Sequence, residues 1–264
     1  MDQASASESS EQSNSQVFNY CNGGFLQVGG WGIDRNLINA ILLIQQFQKG
    51  HRVAGPLVEI GVHEGRVLIL FALLQAGDEL AVGVDLFEGA QDQNIDKSGY
   101  GSYNMTEHNF QRHAPSANYV LFAENSLALS GAAVEAMKGA RLFHIDGGHT
   151  LEVALNDIAV AMSYLGVGGV IIIDDYWHPG WPEVQEAVHR YYATSTDLKA
   201  VPFMTGMNKL FLAHVSHKDR LLNFLIERLP EGRNKPVRLF GHSAICCEQS
   251  LPSATEWIIQ PEID

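Results

Sequence analysis

The sequence predicts a doubly wound α/β fold, and three observations carry that prediction. Two apolar runs, Leu142–Ile145 and Val170–Ile173, each stop at carboxylates: Asp146 after the first, Asp174 and Asp175 after the second. Between them Leu151, Ala154, Leu155, Ile158, Ala161, Met162 and Leu165 recur at spacings of three and four, the period of an amphipathic helix. Gly166, Gly168 and Gly169 then close that helix and turn the chain into the second run. A strand, a crossover helix and a parallel strand bring both strand ends to one edge of a sheet. In open α/β sheets ligands bind at that edge, outside the carboxyl ends of the strands.

Taken from the start, residues 1–16 are rich in Ser, Gln and Glu and read as a disordered tail, with neither the basic start nor the apolar core of a secretory signal. Residues 17–56 read as an N-terminal helical cover. Asp34 can cap a helix whose apolar face is Leu37, Ile41, Ile44 and Phe47 and which ends near Gly50. Gly23-Gly24 and Gly29-Gly30 precede it in a loop, so the segment is either a substrate lid or a plain packing element. The core, 57–215, opens with a strand Leu57–Ile60, a glycine loop from Gly61 to Gly65, and a helix with Val67, Leu70, Phe71 and Leu74 on one face. A second strand from Ala81 ends in Asp85. Asp96 to Gly101 forms a glycine- and tyrosine-containing loop before a helix over 104–113. In the C-terminal extension, 216–264, a helix over 217–228 turns Leu221, Leu222 and Leu225 inward, and one added strand is expected over 237–247.

Composition sets outer limits. At 264 residues the chain is one large domain, or a domain with an appendage, and 46% apolar residues supply an ample core. A net charge of −13 argues against nucleic acid or an anionic membrane as partner, because phosphate binding needs clustered Lys and Arg. The early apolar run, Leu37 to Ile44, is too short to span a bilayer. Cys21, Cys246 and Cys247 have no ligand-like spacing and suit reduced thiols in a cytoplasmic protein.

The chemistry-bearing residues lie at the strand ends. Taken singly, Asp146 reads as an ordinary strand end, and Asp174 and Asp175 as caps of a loop or helix in water. Together, with His149 three residues after the first, they read as a site. Like charges that close need something positive among them, and a hard divalent ion with oxygen ligands, Mg²⁺ first, would supply it. The glycine loop and Asp85 suit an adenosine-containing ligand, the acid holding ribose hydroxyls. A dinucleotide would want glycine where His63 stands and no charge at Glu64, and no phosphate-binding G-x-x-x-x-G-K-[ST] is present. S-adenosylmethionine, a sulfonium without phosphates, fits such a loop. The alternative for His149 is a structural histidine; His63, His144 and His178 read as structural.

The succession VEIGVHEG, GVDLFE, IDGGH and GGVIIIDDY resembles class I S-adenosylmethionine-dependent methyltransferases. More narrowly it is similar to the metal-dependent sugar O-methyltransferases of natural products, the mycinamicin and macrocin type, over roughly residues 25–245. The resemblance implies a Rossmann-like sheet of seven strands with the last antiparallel, 199–204 and 209–213 supplying the last two. It implies that Glu59, Gly61, Gly65, Asp85, Asn125, Ser126 and Asp146 hold S-adenosylmethionine. It further implies that Asp146, Asp174 and Asp175 hold Mg²⁺ or Mn²⁺, with His149 as the base, since Gly148 stands where the macrocin branch has an aspartate base. The acceptor would be a small molecule or glycoside, with a homo-oligomer left open. Two other readings remain: an iron-dependent oxygenase resembling cephalosporin hydroxylase, and a non-catalytic cofactor-binding protein of the same fold.

Overall fold

The structure, a computed structural model, describes residues 14–31, 33–229 and 234–247. Among these, nine strands form one sheet in the order β3-β2-β1-β4-β5-β7-β6-β9-β8. The parallel part comprises β1 (Leu57–Ile60), β2 (Ala81–Asp85), β3 (Tyr119–Ala123), β4 (Ala140–Ile145) and β5 (Leu165–Ile173). β7 (Lys209–His214) lies antiparallel between β5 and β6 (Ala200–Gly206), so the expected doubly wound sheet with an antiparallel seventh strand is present. Winding reverses between β1 and β4, which opens a crevice at their carboxyl ends.

Register decides what meets in that crevice. Ile60 pairs with Val84 on one side and Ile145 on the other, and Ile145 pairs with Ile173. The next residues, Gly61, Asp85, Asp146 and Asp174, therefore emerge side by side from four adjacent strands. β1 and β4 are buried along their whole length, as parallel strands covered on both faces must be. One face carries α1 (Arg35–Gly50), α2 (Arg66–Leu73), α3 (Tyr103–His113) and α7 (Lys218–Arg228). The other carries α4 (Gly131–Met137), α5 (Leu151–Tyr164) and α6 (Pro182–Thr194).

The N-terminal cover packs onto this frame through α1. Asp34 caps it as expected, accepting from the backbone N–H of Asn36 at 2.8 Å and of Leu37 at 2.9 Å. Leu37, Ile41, Ile44 and Phe47 are all buried. Arg141, 1% exposed, fastens α1 to β4: its guanidinium bonds both oxygens of Glu79 at 2.8 and 2.9 Å, Gln45 at 2.6 Å, Gln48 at 2.9 Å and the Leu74 carbonyl at 3.0 Å.

Three local expectations change. Residues 14–21 are helical, with Val17, Tyr20 and Cys21 buried, so order begins inside the expected tail; residues 1–13 lie outside the described residues. Gly166 and Gly169 form no turn, for β5 begins directly after α5. A Cβ at Gly166 would lie 2.5 Å from the Gly139 carbonyl and one at Gly169 2.9 Å from that of Ala140, so these glycines admit close backbone approach between β5 and the start of β4. The single strand expected over 237–247 is a hairpin, β8 (Lys235–Leu239) and β9 (His242–Cys246), turned by Phe240 and Gly241 at φ 50° and 83°. β9 pairs with β6, which carries the main sheet on into the extension and leaves β8 as its outermost strand.

Arg141→Met should destabilise the fold by about 3–5 kcal/mol, the cost of leaving a buried partner charge unpaired. Urea unfolding at neutral pH measures it, and a loss below about 1 kcal/mol would show that Glu79 and the α1 amides do not depend on the guanidinium.

Candidate active site

A cavity of about 670 Å³ opens at the carboxyl edge of β1, β2, β4 and β5. Glu59, Gly61, Asp85, Asn125, Ser126, Asp146, His149, Asp174 and Asp175 all lie on its wall; of the expected site residues only Gly65 does not. Gly65 instead caps α2 at φ 89°. Gly61, also at φ 89°, is where β1 and β4 converge: an added Cβ would stand 1.9 Å from the Asp146 carbonyl oxygen, so no side chain fits.

The cover supplies the facing wall with Gly29, Gly30, Trp31, Ile33 and Asp34. It is latched to the glycine loop itself. Glu64 accepts the Gly29 N–H at 3.0 Å, Arg66 donates from Nε to the Val28 carbonyl at 2.7 Å, and Tyr20 donates to the Arg66 carbonyl at 2.6 Å. Trp31 then sits edge-on to His63, ring centroids 5.2 Å apart.

At the end of β2, Asp85 accepts the N–H of His63 at 2.8 Å on one oxygen and that of Phe87 at 2.7 Å on the other. Each oxygen keeps a lone pair for a ligand hydroxyl. Burial raises the Asp85 carboxyl above its ordinary range despite these bonds. Asn125 caps the short turn after β3 through the Leu127 N–H at 2.9 Å, and the Ser126 carbonyl accepts from Asn156 at 2.8 Å. Beneath them lies Asp157, fully buried, with Oδ2 lacking a partner. Burial pushes its carboxyl up to about 7, against the lowering bonds from Ser126 and Asn156. Glu59 turns one oxygen to His144 Nδ1 at 3.0 Å, while its other oxygen is buried without a partner, and burial raises its carboxyl.

The carboxylates after β4 and β5 divide into two neighbourhoods. Asp174, 4% exposed, receives Lys209 Nζ on Oδ2 at 2.5 Å, with His144 Nε2 at 3.6 Å. Burial favours its neutral form, but His144 and Lys209 outweigh that and hold the carboxyl low. His144, left as structural by the sequence, is thus part of an ionic chain from Glu59 to Asp174. Burial opposes its charge, yet the neighbouring carboxylates of Asp174 and Glu59 raise it to about 10. Asp175 faces the other way, accepting from Asn208 at 2.7 Å and lying 2.9 Å from His149 Nε2. Asp146 stands between the two, its carboxyl raised by burial and by the Asp174 charge.

His149 differs from expectation in its charge. Its Nδ1 lies 3.0 Å from Asp96, whose carboxylate also takes the His149 backbone N–H at 2.5 Å. Burial lowers the imidazole, but Asp175 and Asp96 together raise it to about 9, so the resting ring is an imidazolium rather than the neutral base expected. Asp96 is held well below the usual carboxylate range, the bonds from His149 and Ser98 overcoming its burial. Trp181 stacks on the ring at 4.2 Å and 14°.

For a metal, two sets of donor atoms lie within 4.8 Å of one another among the described residues: His144, Asp146 and Asp174, and Asp146, His149 and Asp175. Each has one imidazole and two carboxylates, a donor set that suits a hard divalent ion rather than the two-histidine facial set of the oxygenase reading. Asp96, Asn208 and Lys209 were not singled out by sequence.

Two measurements probe these assignments. Asp85→Ala should weaken S-adenosylhomocysteine binding by roughly 1.5–3 kcal/mol in calorimetry, the worth of hydrogen bonds to a charged group. Asp157 favours the protonated fold, so its stability contribution is full below the ordinary carboxyl pKa near 3.8 and is lost as pH rises through about 7. Asp157→Asn should therefore gain stability relative to the parent between pH 5 and pH 8, by at most on the order of 4 kcal/mol; parallel thermal melts with no pH-dependent divergence would count against a protonated Asp157.

Comparison with known proteins agrees with this geometry. Residues 58–176 match a family model described as a methyltransferase domain. An uncharacterized protein of Acanthamoeba polyphaga mimivirus is 27% identical over 148 residues, which span 55% of this chain and 63% of that relative. The fold is similar to that of the O-methyltransferase NovP, with TM-score 0.55 and 18% identity over 69% of this chain and 81% of the other. It is similar also to the O-methyltransferase TomG from Streptomyces achromogenes, determined with S-adenosylmethionine, with TM-score 0.51 and 14% identity over 75% and 89%. Residues 58–176 are therefore similar to a methyltransferase domain, carried on a fold shared with O-methyltransferases.

Proposed function

We propose that this chain is an S-adenosylmethionine-dependent methyltransferase acting on oxygen, and that its acceptor is a hydroxyl of a sugar or of a glycosylated or small natural product, with Mg²⁺ or Mn²⁺ assisting. The observation that carries the reading is His149, fixed on the cavity wall by Asp96 and stacked on Trp181, among the carboxylates that follow β4 and β5. The likeness of IDGGH and GGVIIIDDY to the sugar O-methyltransferases supports the acceptor class. So does the fold shared with TomG, a protein involved in tomaymycin synthesis.

In this reading Gly61, Asp85, Asn125 and Ser126 seat the cofactor with its methyl group toward His149. The acceptor oxygen attacks the methyl carbon, a C–O bond forms as the S–C bond breaks, and the products are a methyl ether and S-adenosylhomocysteine. The His149 ring must first release to solvent the Nε2 proton that it holds against Asp175 in the resting site, and the hydroxyl proton then passes to that nitrogen. Nδ1 keeps its proton and donates it in a hydrogen bond to Asp96, which fixes the tautomer that leaves Nε2 as acceptor. Nε2 faces Asp175 in the resting site, and the acceptor hydroxyl takes that place. Held by Asp146 and Asp175, a divalent ion would acidify and orient the acceptor hydroxyl. Most of the remaining catalytic effect is in-line placement.

The test is methyl transfer from labelled S-adenosylmethionine to glycosides, catechols, amines and thiols, with and without EDTA. Methylated glycosides and loss of turnover on chelation are expected; transfer confined to amines or thiols would sink the oxygen assignment, and full activity in metal-free protein would sink the assisting ion. His149→Ala should lower turnover by roughly a hundredfold to ten-thousandfold. S-adenosylhomocysteine affinity should stay within about threefold, since no cofactor contact is assigned to the ring. Weakened cofactor binding together with a lowered melting temperature would instead mark His149 as scaffold.

A further inference from the structure

The hairpin between β6 and β7 carries a cation into the carboxylate cluster. Met207 and Asn208 both take positive φ, 56° and 64°, the two-residue turn that matches the twist of paired strands. The turn is braced from below: Trp177 Nε1 donates to Thr205 Oγ1 at 2.7 Å, and Thr205 Oγ1 donates to the Lys209 carbonyl at 3.0 Å. Lys209 then places Nζ 2.5 Å from Asp174 Oδ2, with the two side chains 5% and 4% exposed. The other oxygen of Asp174 accepts the Asp175 N–H at 2.7 Å. Both oxygens of Asp174 are therefore engaged by the protein. Asp175 is engaged by an uncharged amide and by His149, both at the cavity wall.

We propose that Lys209 is a resident cation that takes the place of a divalent ion at Asp174. It removes Asp174 from the ligand set that the sequence motif implies and leaves Asp146 and Asp175 to hold a single ion. The inference rests on the metal-assisted reading above for the role of that ion, but not for the occupancy of Asp174. A buried ammonium in contact with a carboxylate oxygen and a divalent cation on that same oxygen exclude one another by charge repulsion and by space. Asp175, half-buried on the cavity wall, meets an imidazole on Oδ2 instead of an ammonium, and the ring nitrogen of His149 lies with Asp146 and Asp175 within 4.8 Å, placed to join a ligand set as well as to compete with one.

Mn²⁺ binding to the full chain, followed by the electron-spin resonance of the free ion and by calorimetry, tests this without recourse to turnover. Asp174→Asn should leave Mn²⁺ affinity within about threefold of the parent, whereas Asp175→Asn should lower it roughly tenfold to a hundredfold, the effect of losing a metal-site partner. Lys209→Met should bind Mn²⁺ roughly tenfold tighter or bind a second equivalent, and Lys209→Arg should behave as the parent. Lys209→Gln is measured alongside, so that a poorly folded Met variant does not decide the matter. The proposal is overturned if Asp174→Asn weakens Mn²⁺ as much as Asp175→Asn does, or if neither neutral variant of Lys209 gains Mn²⁺ binding. Should the parent bind no Mn²⁺ at all, the metal-assisted reading fails. A neutral Lys209 variant that then acquires a site still sustains the lysine's role, and one that stays blank overturns it.

Discussion

Mutual repulsion among carboxylates at the end of β4 and β5 is the constraint that the rest of the site answers. The register pairing Ile145 with Ile173 forces Asp146 and Asp174 to leave the sheet as neighbours. Two unit charges 4 Å apart at a protein surface oppose each other by about 4 kcal/mol, a large share of the stability of an ordinary domain. The chain meets that cost with its own cations. Lys209 arrives from the β6–β7 hairpin, His144 from within β4 and His149 from the loop beyond it. Charge, and not only shape, thus requires the antiparallel seventh strand: without β7, Asp174 has no ammonium.

The same logic separates what the sequence discloses from what it hides. Asp85, Asp146, Asp174 and Asp175 are legible because each follows an apolar run, and a run of that kind fixes both strand and edge. Their partners are not legible. Asp96 meets His149 across 53 positions and Lys209 meets Asp174 across 35, through loops whose composition reads as connector. Without those partners His149 looks like a neutral base near its ordinary pKa; with Asp96 and Asp175 beside it, the ring holds a proton. The glycines after α5 mislead for a related reason. Glycine marks a turn when the chain needs freedom and a contact when it needs room, and only the neighbouring strand at Gly139 and Ala140 tells which. α4, short and alanine-rich, has too few turns for a periodic signal to emerge.

The N-terminal cover belongs to the site as much as to the fold. Its helix α1 is held by Arg141 from behind, while Val28 and Gly29 are held in front by Arg66, the first residue of α2, and by Glu64 of the glycine loop. Glu64, read from the sequence as unfavourable to phosphates, is in the fold the anchor for the segment that presents Trp31 to the cavity. Loop and cover are in consequence a single mechanical unit, and a change of sequence in either is felt by both.

The hairpin beyond α7 has an effect far from any chemistry. Among the described residues, by pairing with β6 it moves the border of the sheet outward to β8, which bears Lys235, Pro236 and Arg238 at exposed positions. Proline offers no N–H to an incoming strand, and two basic side chains resist a copy of themselves. A border of this composition is a poor template for cross-β growth, so the molecule is guarded against self-templated aggregation on the side where β6, an apolar strand buried nearly throughout, would otherwise stand bare.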